Sequence, residues 1–231
     1  MKMHLAVAAS LLFGASIVSA APINIAIDID TTRTSGSATA GQISTEPGFE
    51  SWDTTNVTTS GTTITKQGVT FELFGFAANN QSRWRSSGSD LLRDFVFNEG
   101  VQARAIGLRI TGLEVGSYDM QSWHYDSDAL VSSQLNWIQV EVRTQGVAGS
   151  TEVLVDKHPF GTAPAVFRFD VTEPGQVREI IFREDDDAIE GGDPDQNRAR
   201  LNGFTLDTFI PEPAAASMLV VLGALCLRRR R

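Results

Sequence analysis

Three histidines, one cysteine and a surplus of carboxylates set the chemistry open to this 231-residue chain. Cys226 lies in an apolar run near the C-terminus, so the body of the protein carries no thiol for nucleophilic attack, disulfide formation or zinc ligation. His4 lies in an apolar segment at the other end, leaving His124 and His158 as the candidate bases for a Ser-His-Asp triad. No Gly-x-Ser-x-Gly elbow accompanies either. His158 precedes Pro159 in an expected turn, and His124 stands at a strand end beside Tyr125; both fit rim packing or a local hydrogen bond. A glycosidase needs two carboxylates held across a cleft. With 28 acidic residues two can always be found, so their abundance selects none. The residues read as a non-catalytic protein.

Metal chemistry points to oxygen donors. Asp185, Asp186, Asp187, Glu190, Asp193, Asp195 and Asn197 crowd one segment. Hard carboxylate oxygens suit Ca²⁺, which takes six to eight of them. The candidate ligands are Asp185, Asp187, Glu190, Asp193 and Asp195, with Asp28 and Asp30 a second place for a structural ion and Asp126 with Asp128 a weaker one. EF-hand spacing is absent, because Ile189 stands where a ligand is required, and a solvated acidic loop is the competing reading. No other cofactor is expected.

Sugar binding needs exposed aromatic faces beside a few planar polar groups. Trp84 lies in a polar, loop-like stretch between Arg83 and Arg85, which suit stacking and bidentate contacts. Trp123, His124 and Tyr125 at a strand end form a candidate rim, with Asp126 as an acceptor. Trp52 and Trp137 are ambiguous, and a core anchor is the competing role for any tryptophan in a β-sandwich.

The elements that must position these groups are strands. Asn24 to Asp30 alternates, with Ile25, Ile27 and Ile29 on one face and Asn24, Ala26, Asp28 and Asp30 on the other. Val69–Phe76, Ala105–Thr111, Ser117–Tyr125, Trp137–Arg143, Val153–Val155, Ala165–Val171, Val177–Arg183 and Leu201–Leu206 read the same way, as does a strand begun by Phe95 and Phe97. Thr31 to Thr45 and Asn79 to Ser89 read as loops, and Ser89 or Asp90 caps a helical turn through Leu91 and Leu92. Many short strands with turns between them and almost no helix predict an all-β, antiparallel sandwich of jelly-roll type. Gly112-Leu113 with Gly116-Ser117-Tyr118, the closing Leu201-Asn202-Gly203-Phe204 and the opening Ile25-x-Ile27-Asp28 resemble the hairpin and terminal strands of galactose-binding-like and malectin-like jelly rolls. The resemblance implies a carbohydrate-binding type of scaffold without transferring a ligand.

The two ends carry an address. Lys2, the apolar Leu5–Val18 and Val18-Ser19-Ala20 form a signal peptide over residues 1–20, to be cut by signal peptidase. Pro211-Glu212-Pro213, the uncharged Ala214–Leu227 and Arg228, Arg229, Arg230 and Arg231 resemble the PEP-CTERM sorting signal of exported bacterial proteins. A helix over 214–227 rises about 21 Å, short of a bilayer core of about 30 Å, although the arginines extend its reach. The resemblance implies a transient inner-membrane anchor and an exosortase that cuts near Pro-Glu-Pro. The expected layout is signal peptide 1–20, β-sandwich ectodomain 21–208 and sorting tail 209–231. With Lys2 and the terminal arginines gone, 14 basic residues face 28 acidic ones, a net charge of −14 that repels nucleic acid. The expectation is an exported cell-surface or matrix protein whose partners are glycans or exopolysaccharide; a secreted carbohydrate-active enzyme and a glycosylated matrix protein with no small ligand are the alternatives.

Overall fold

A computed structural model describes residues 22–35, 38–39, 41, 43–57, 62–75, 80–86, 88–98, 105–127, 137–185 and 199–210. The signal peptide, the sorting tail with Pro211, Glu212, Pro213 and Arg228 to Arg231, and the calcium candidates Asp187, Glu190, Asp193 and Asp195 lie outside the described residues; of Asp185 only the main chain is described. Among the described residues no helix is long and apolar enough to cross a membrane.

The chain runs β1 (Asn24–Asp30), β2 (Arg33–Ser35), β3 (Ala38–Thr39), β4 (Glu50–Asp53), β5 (Thr62–Lys66), β6 (Val69–Gly75), β7 (Asn80–Trp84), α1 (Asp90–Arg93), β8 (Asp94–Asn98), β9 (Ala105–Thr111), β10 (Gly116–His124), β11 (Trp137–Thr144), β12 (Glu152–Pro159), β13 (Gly161–Val171), β14 (Arg178–Asp185), β15 (Arg200–Leu201) and β16 (Gly203–Thr208). A five-stranded sheet in the order β13-β10-β16-β1-β4 faces a six-stranded sheet in the order β12-β11-β14-β9-β6-β5. Pairing is antiparallel except between β1 and β4, which run parallel. This is the expected all-β sandwich.

Alternation makes the core. Ile25, Ile27 and Ile29 from β1 and Phe204 and Leu206 from β16 point inward onto Phe71 and Leu73 of β6 and Ile106, Leu108 and Ile110 of β9. Phe71 and Phe204 join the sheets directly, with ring centroids 4.9 Å apart. Each such side chain taken from water contributes about 1.5–3 kcal/mol, so the paired apolar faces hold the sheets together with no covalent staple.

β2 and β3 pair within the stretch Thr31 to Thr45 read as a loop, and His158 and Pro159 end β12 instead of forming a turn. Two further features depart from the sequence reading. Residues 80–84 form a strand instead of a polar loop: β7 pairs antiparallel with β8, which carries β15 on its other side. Its polar residues are there for internal bonds. Ser82 is buried, donates to the Thr54 main-chain oxygen at 2.8 Å and shares a 2.9 Å bond with the Thr31 hydroxyl. The second departure is β1, whose polar face is solvated only at its start: Asn24 is exposed, while Asp28 and Asp30 are fully buried at its C-terminal half. The small β15-β8-β7 sheet and α1 form a local third layer at that end.

Candidate functional site

The outer faces of the two large sheets differ in chemistry. On the six-stranded sheet, register aligns Glu72, Arg109, Glu179 and Arg143 in one row across four strands. Arg109 bonds Glu72 at 2.6 Å and Glu179 at 2.9 Å, and Arg143 bonds Glu179 at 2.7 Å. Beside that row the Phe74 ring lies across Gly107, where a Cβ would stand 2.1 Å from Cζ. The Arg109 guanidinium sits 5.0 Å from the same ring. These charges satisfy one another and leave little for a ligand.

The five-stranded sheet presents an open outer face at one end and a covered one at the other. At the covered end Asp28, Gly203 and Trp123 stand in register. Gly203 must lack a side chain, because a Cβ would meet the Ile27 main-chain oxygen and Leu91 Cδ1, each at 2.6 Å; α1 therefore sits directly on β16. Phe49 meets the Trp123 ring edge-on, 5.7 Å between centroids and 74° between planes. Trp123 is half-buried and marks the border of the cover.

Two further rows follow toward the other end. Ala26, Thr205, Gln121 and Val166 align, then Asn24, Asp207, Asp119 and Arg168. Gln121, Asn24 and Arg168 are exposed, and Val166 stands 63% exposed. Arg168 grips Asp119 through two bonds of 2.7 and 3.1 Å and lies 3.3 Å from the Phe209 ring centroid. Asn24 donates to Asp207 at 2.7 Å, and burial raises the Asp207 carboxyl above its ordinary range. From Trp123 to Asp119 the face runs about 13 Å down β10. It combines an aromatic border, single apolar side chains at the two ends of one row, Ala26 and Val166, and fixed planar donors and acceptors between and beside them.

The residues expected to form a ligand site are dispersed. Trp123 alone reaches this face. His124, expected at the rim, points into the core and is fully buried. The reason is alternation: if Trp123 faces outward, His124 must face inward, where its ring lies 5.0 Å from that of Phe182. A carbonyl can only accept, so His124 Nδ1 donates to the Arg200 main-chain oxygen at 2.5 Å and Nε2 accepts from the Ser122 hydroxyl at 2.8 Å. Burial pushes the imidazole down to about 4, so it is neutral, and Ser122, also fully buried, meets no substrate. His158 makes a local bond to the Ala163 oxygen at 3.0 Å.

Trp84 ends a strand and carries Gly41 against its ring, since a Cβ on Gly41 would lie 2.7 Å from Cγ. It is half-buried, with a buried indole nitrogen, so the stacking platform expected there is already covered on one side. Arg83 lies over the Phe97 ring at 5.0 Å. Arg85 lies 5.7 Å from the Phe95 ring and binds both oxygens of Asp126, which also accepts from Arg200 Nε. Tyr125 is half-buried and tied through its main-chain N–H to Asn202 Oδ1 at 2.6 Å. These groups hold the small third layer to the sandwich. Gln121, Thr205, Asp119, Arg168, Asp207 and Asn24 escaped sequence reading. Alternation marks each as outward, but only the pairing of β1, β16, β10 and β13 brings them together.

Compared with known proteins, the sequence matches no family model and no curated protein. Among solved structures the chain is similar to CBM29_1, a family 29 carbohydrate-binding module from Piromyces equi, at 11% identity over 66% of this chain and 88% of that one, TM-score 0.34. It is also similar to the CBM22-1 xylan-binding domain from Paenibacillus barcinonensis Xyn10C, at 9% identity over 63% and 85%, TM-score 0.35. A third likeness is to TmCBM61, solved with β-1,4-galactotriose, at 10% identity over 60% and 88%, TM-score 0.35. These scores are too low to transfer a ligand.

Proposed function

We propose that this protein is an exported component of the bacterial envelope or extracellular matrix whose β-sandwich binds glycan without acting on it. The observation that carries this reading is the open outer face of the five-stranded sheet. A pyranose ring presents an apolar face that stacks on an indole, and hydroxyls that pair with planar side chains. Trp123 offers the first; Gln121, Asn24, Asp119, Asp207 and Arg168 offer the second, held in place by strand pairing and by the Arg168–Asp119 and Asn24–Asp207 bonds. Strand-borne groups are already ordered, so a ligand need not fix them. The acids along the face favour a neutral glycan chain over a uronate.

The address comes from the sequence. Signal peptidase would remove residues 1–20, and an exosortase-like enzyme would cut near Pro211-Glu212-Pro213 after a transient stay in the inner membrane. Intact mass and location in the native host test that part: a chain that retains Arg231 in the inner membrane overturns it. The binding part is tested by affinity electrophoresis through hydroxyethylcellulose, xylan, galactomannan, alginate and the host exopolysaccharide. Retardation by a neutral polysaccharide is expected. Unaltered migration in all five would leave the matrix-protein alternative instead.

A further inference from the structure

The chain enters and leaves the sandwich at one place. Ile23 N–H donates to the Thr208 hydroxyl oxygen at 2.9 Å, Thr208 N–H donates to the Ile23 main-chain oxygen at 3.0 Å, and Asn24 stands opposite Asp207. Both exits open at the end of β1 and β16 that lies away from α1 and the small sheet. The turns at 67–68, 112–115, 145–151 and 172–177 close that same end. They interlock. Gln67 Nε2 donates to the Asn24 main-chain oxygen at 2.7 Å, and a Cβ on Gly112 would stand 2.4 Å from the Gly68 oxygen. Val147 from one turn and Pro174 from another wall a cleft of about 400 Å³.

The tips of this end are apolar. Val115 is 54% exposed, Val147 55% and Ile210 66%, three of the six large apolar side chains that stand exposed among the described residues. Pro174 is exposed as well. Exposed hydrophobics scattered singly are ordinary; these share one end with both chain exits. From Ile210 the chain has only Pro211, Glu212 and Pro213, at most about 11 Å when extended, before the apolar run Ala214–Leu227. On the other side four residues, 19–22, separate the apolar run ending at Val18 from Ile23, a reach of about 14 Å. With either run in a bilayer, the lipid surface is held close to this end of the sandwich.

We propose that the end of the sandwich bearing both exits lies on the bilayer surface while the tail is inserted, with Val115, Val147, Pro174 and Ile210 at headgroup level. The inference rests on the transient inner-membrane stay proposed above. Glu114 and Glu173 are exposed beside the tips and suit ammonium headgroups, so the surface is a zwitterionic one. The glycan face then stands upright, with the Arg168 row nearest the lipid and Trp123 about 13 Å further out.

The test uses the full-length chain with Cys226→Ala, reconstituted into vesicles of phosphatidylcholine and phosphatidylethanolamine. A bimane label is attached through Val147→Cys at a tip, or through Ile43→Cys in the loop that leads to Thr45 and Asp30 at the far end, where Ile43 is 46% exposed. Lipid carrying a headgroup nitroxide should quench the Val147→Cys label at least about threefold more than the Ile43→Cys label. Adding Val115→Asp and Ile210→Asp should cut that difference by about half or more. Flotation with the vesicles separates the causes of failure. A chain that floats yet shows equal quenching of the two labels overturns the surface contact and leaves the tail reading standing. A chain that does not float overturns the contact together with the membrane stay. An undiminished difference after Val115→Asp and Ile210→Asp overturns the apolar tips as the contact.

Discussion

Asn202 is the side chain whose removal should damage this fold most for its size. It is fully buried at the step between β15 and β16. Its Oδ1 accepts from the Tyr125 N–H at 2.6 Å, and its Nδ2 donates to the main-chain oxygens of Asp94 at 2.8 Å and Leu92 at 3.3 Å. Its main chain bonds Trp123 and Ile29, each at 2.9 Å. One residue thus joins β10, β1 and the α1–β8 junction. Asn202→Ala strips partners from three main-chain groups. Each buried orphan costs about 1–3 kcal/mol, and since neighbouring losses are not additive, the total should be about 3–5 kcal/mol. For a domain of this size that is a fall in Tm of about 10 °C. Asn202→Asp separates bonding from packing. It keeps the shape and the Oδ1 acceptor but turns an oxygen toward two carbonyl oxygens, close to Asp94, so it should lose at least as much. Urea unfolding followed by tryptophan fluorescence gives the midpoint and m. An Asn202→Asp midpoint equivalent to less than about 1 kcal/mol below wild type would refute the claim that these bonds organise the end of the sandwich.

Stability should depend on pH with two opposed limbs. His124, held near 4 against an ordinary 6.5, binds fewer protons folded than unfolded, so its contribution is complete above pH 6.5 and fades as pH falls toward 4, about 3 kcal/mol in all. Two buried acids act oppositely. Burial pushes Asp28 up to about 7; burial, with Asp30 and Asp28 nearby, pushes Asp94 up to about 9. Their contribution is complete below about 4 and is lost as pH rises through 7 and 9, so the urea midpoint should fall steadily from pH 5 to pH 9; a midpoint that rises over that range would contradict the burial of these acids. Gly107→Ala must displace the Phe74 ring and should cost about 1–3 kcal/mol, measured by the same urea midpoint, while leaving retention on polysaccharide gels unchanged.

How much of this was legible in the chain depends on which side of each strand carried the signal. β1, β6, β9 and β11 could be read because their apolar residues recur at every second position, and the structure places them within a residue of the expected bounds. β7 could not, since Asn80-Gln81-Ser82 offers no apolar face and its pairing with β8 supplies what periodicity omits. The acids at Asp28 and Asp30 misled for a related reason. Alternation shows that they oppose Ile27 and Ile29, but not that another layer folds over them. Trp123 was found and His124 misplaced by one step of the same rule, and the polar rows beside Trp123 became visible only when β16, from the end of the chain, inserted between β1 and β10. Residue type marked the candidates; long-range pairing decided which of them meet.

The central claim is that glycan binds the open face of the five-stranded sheet beside Trp123 and not the Trp84 segment. Its most direct measurement compares wild type, Trp123→Ala and Trp84→Ala in affinity gels containing the polysaccharide that most retards wild type, with folding checked by thermal melts. Trp123→Ala should weaken retention about tenfold or more, the equivalent of at least 1.4 kcal/mol of lost stacking and burial, while folded Trp84→Ala keeps wild-type retention. Full retention by Trp123→Ala with loss in a folded Trp84→Ala protein would place the site on β7 and contradict the account.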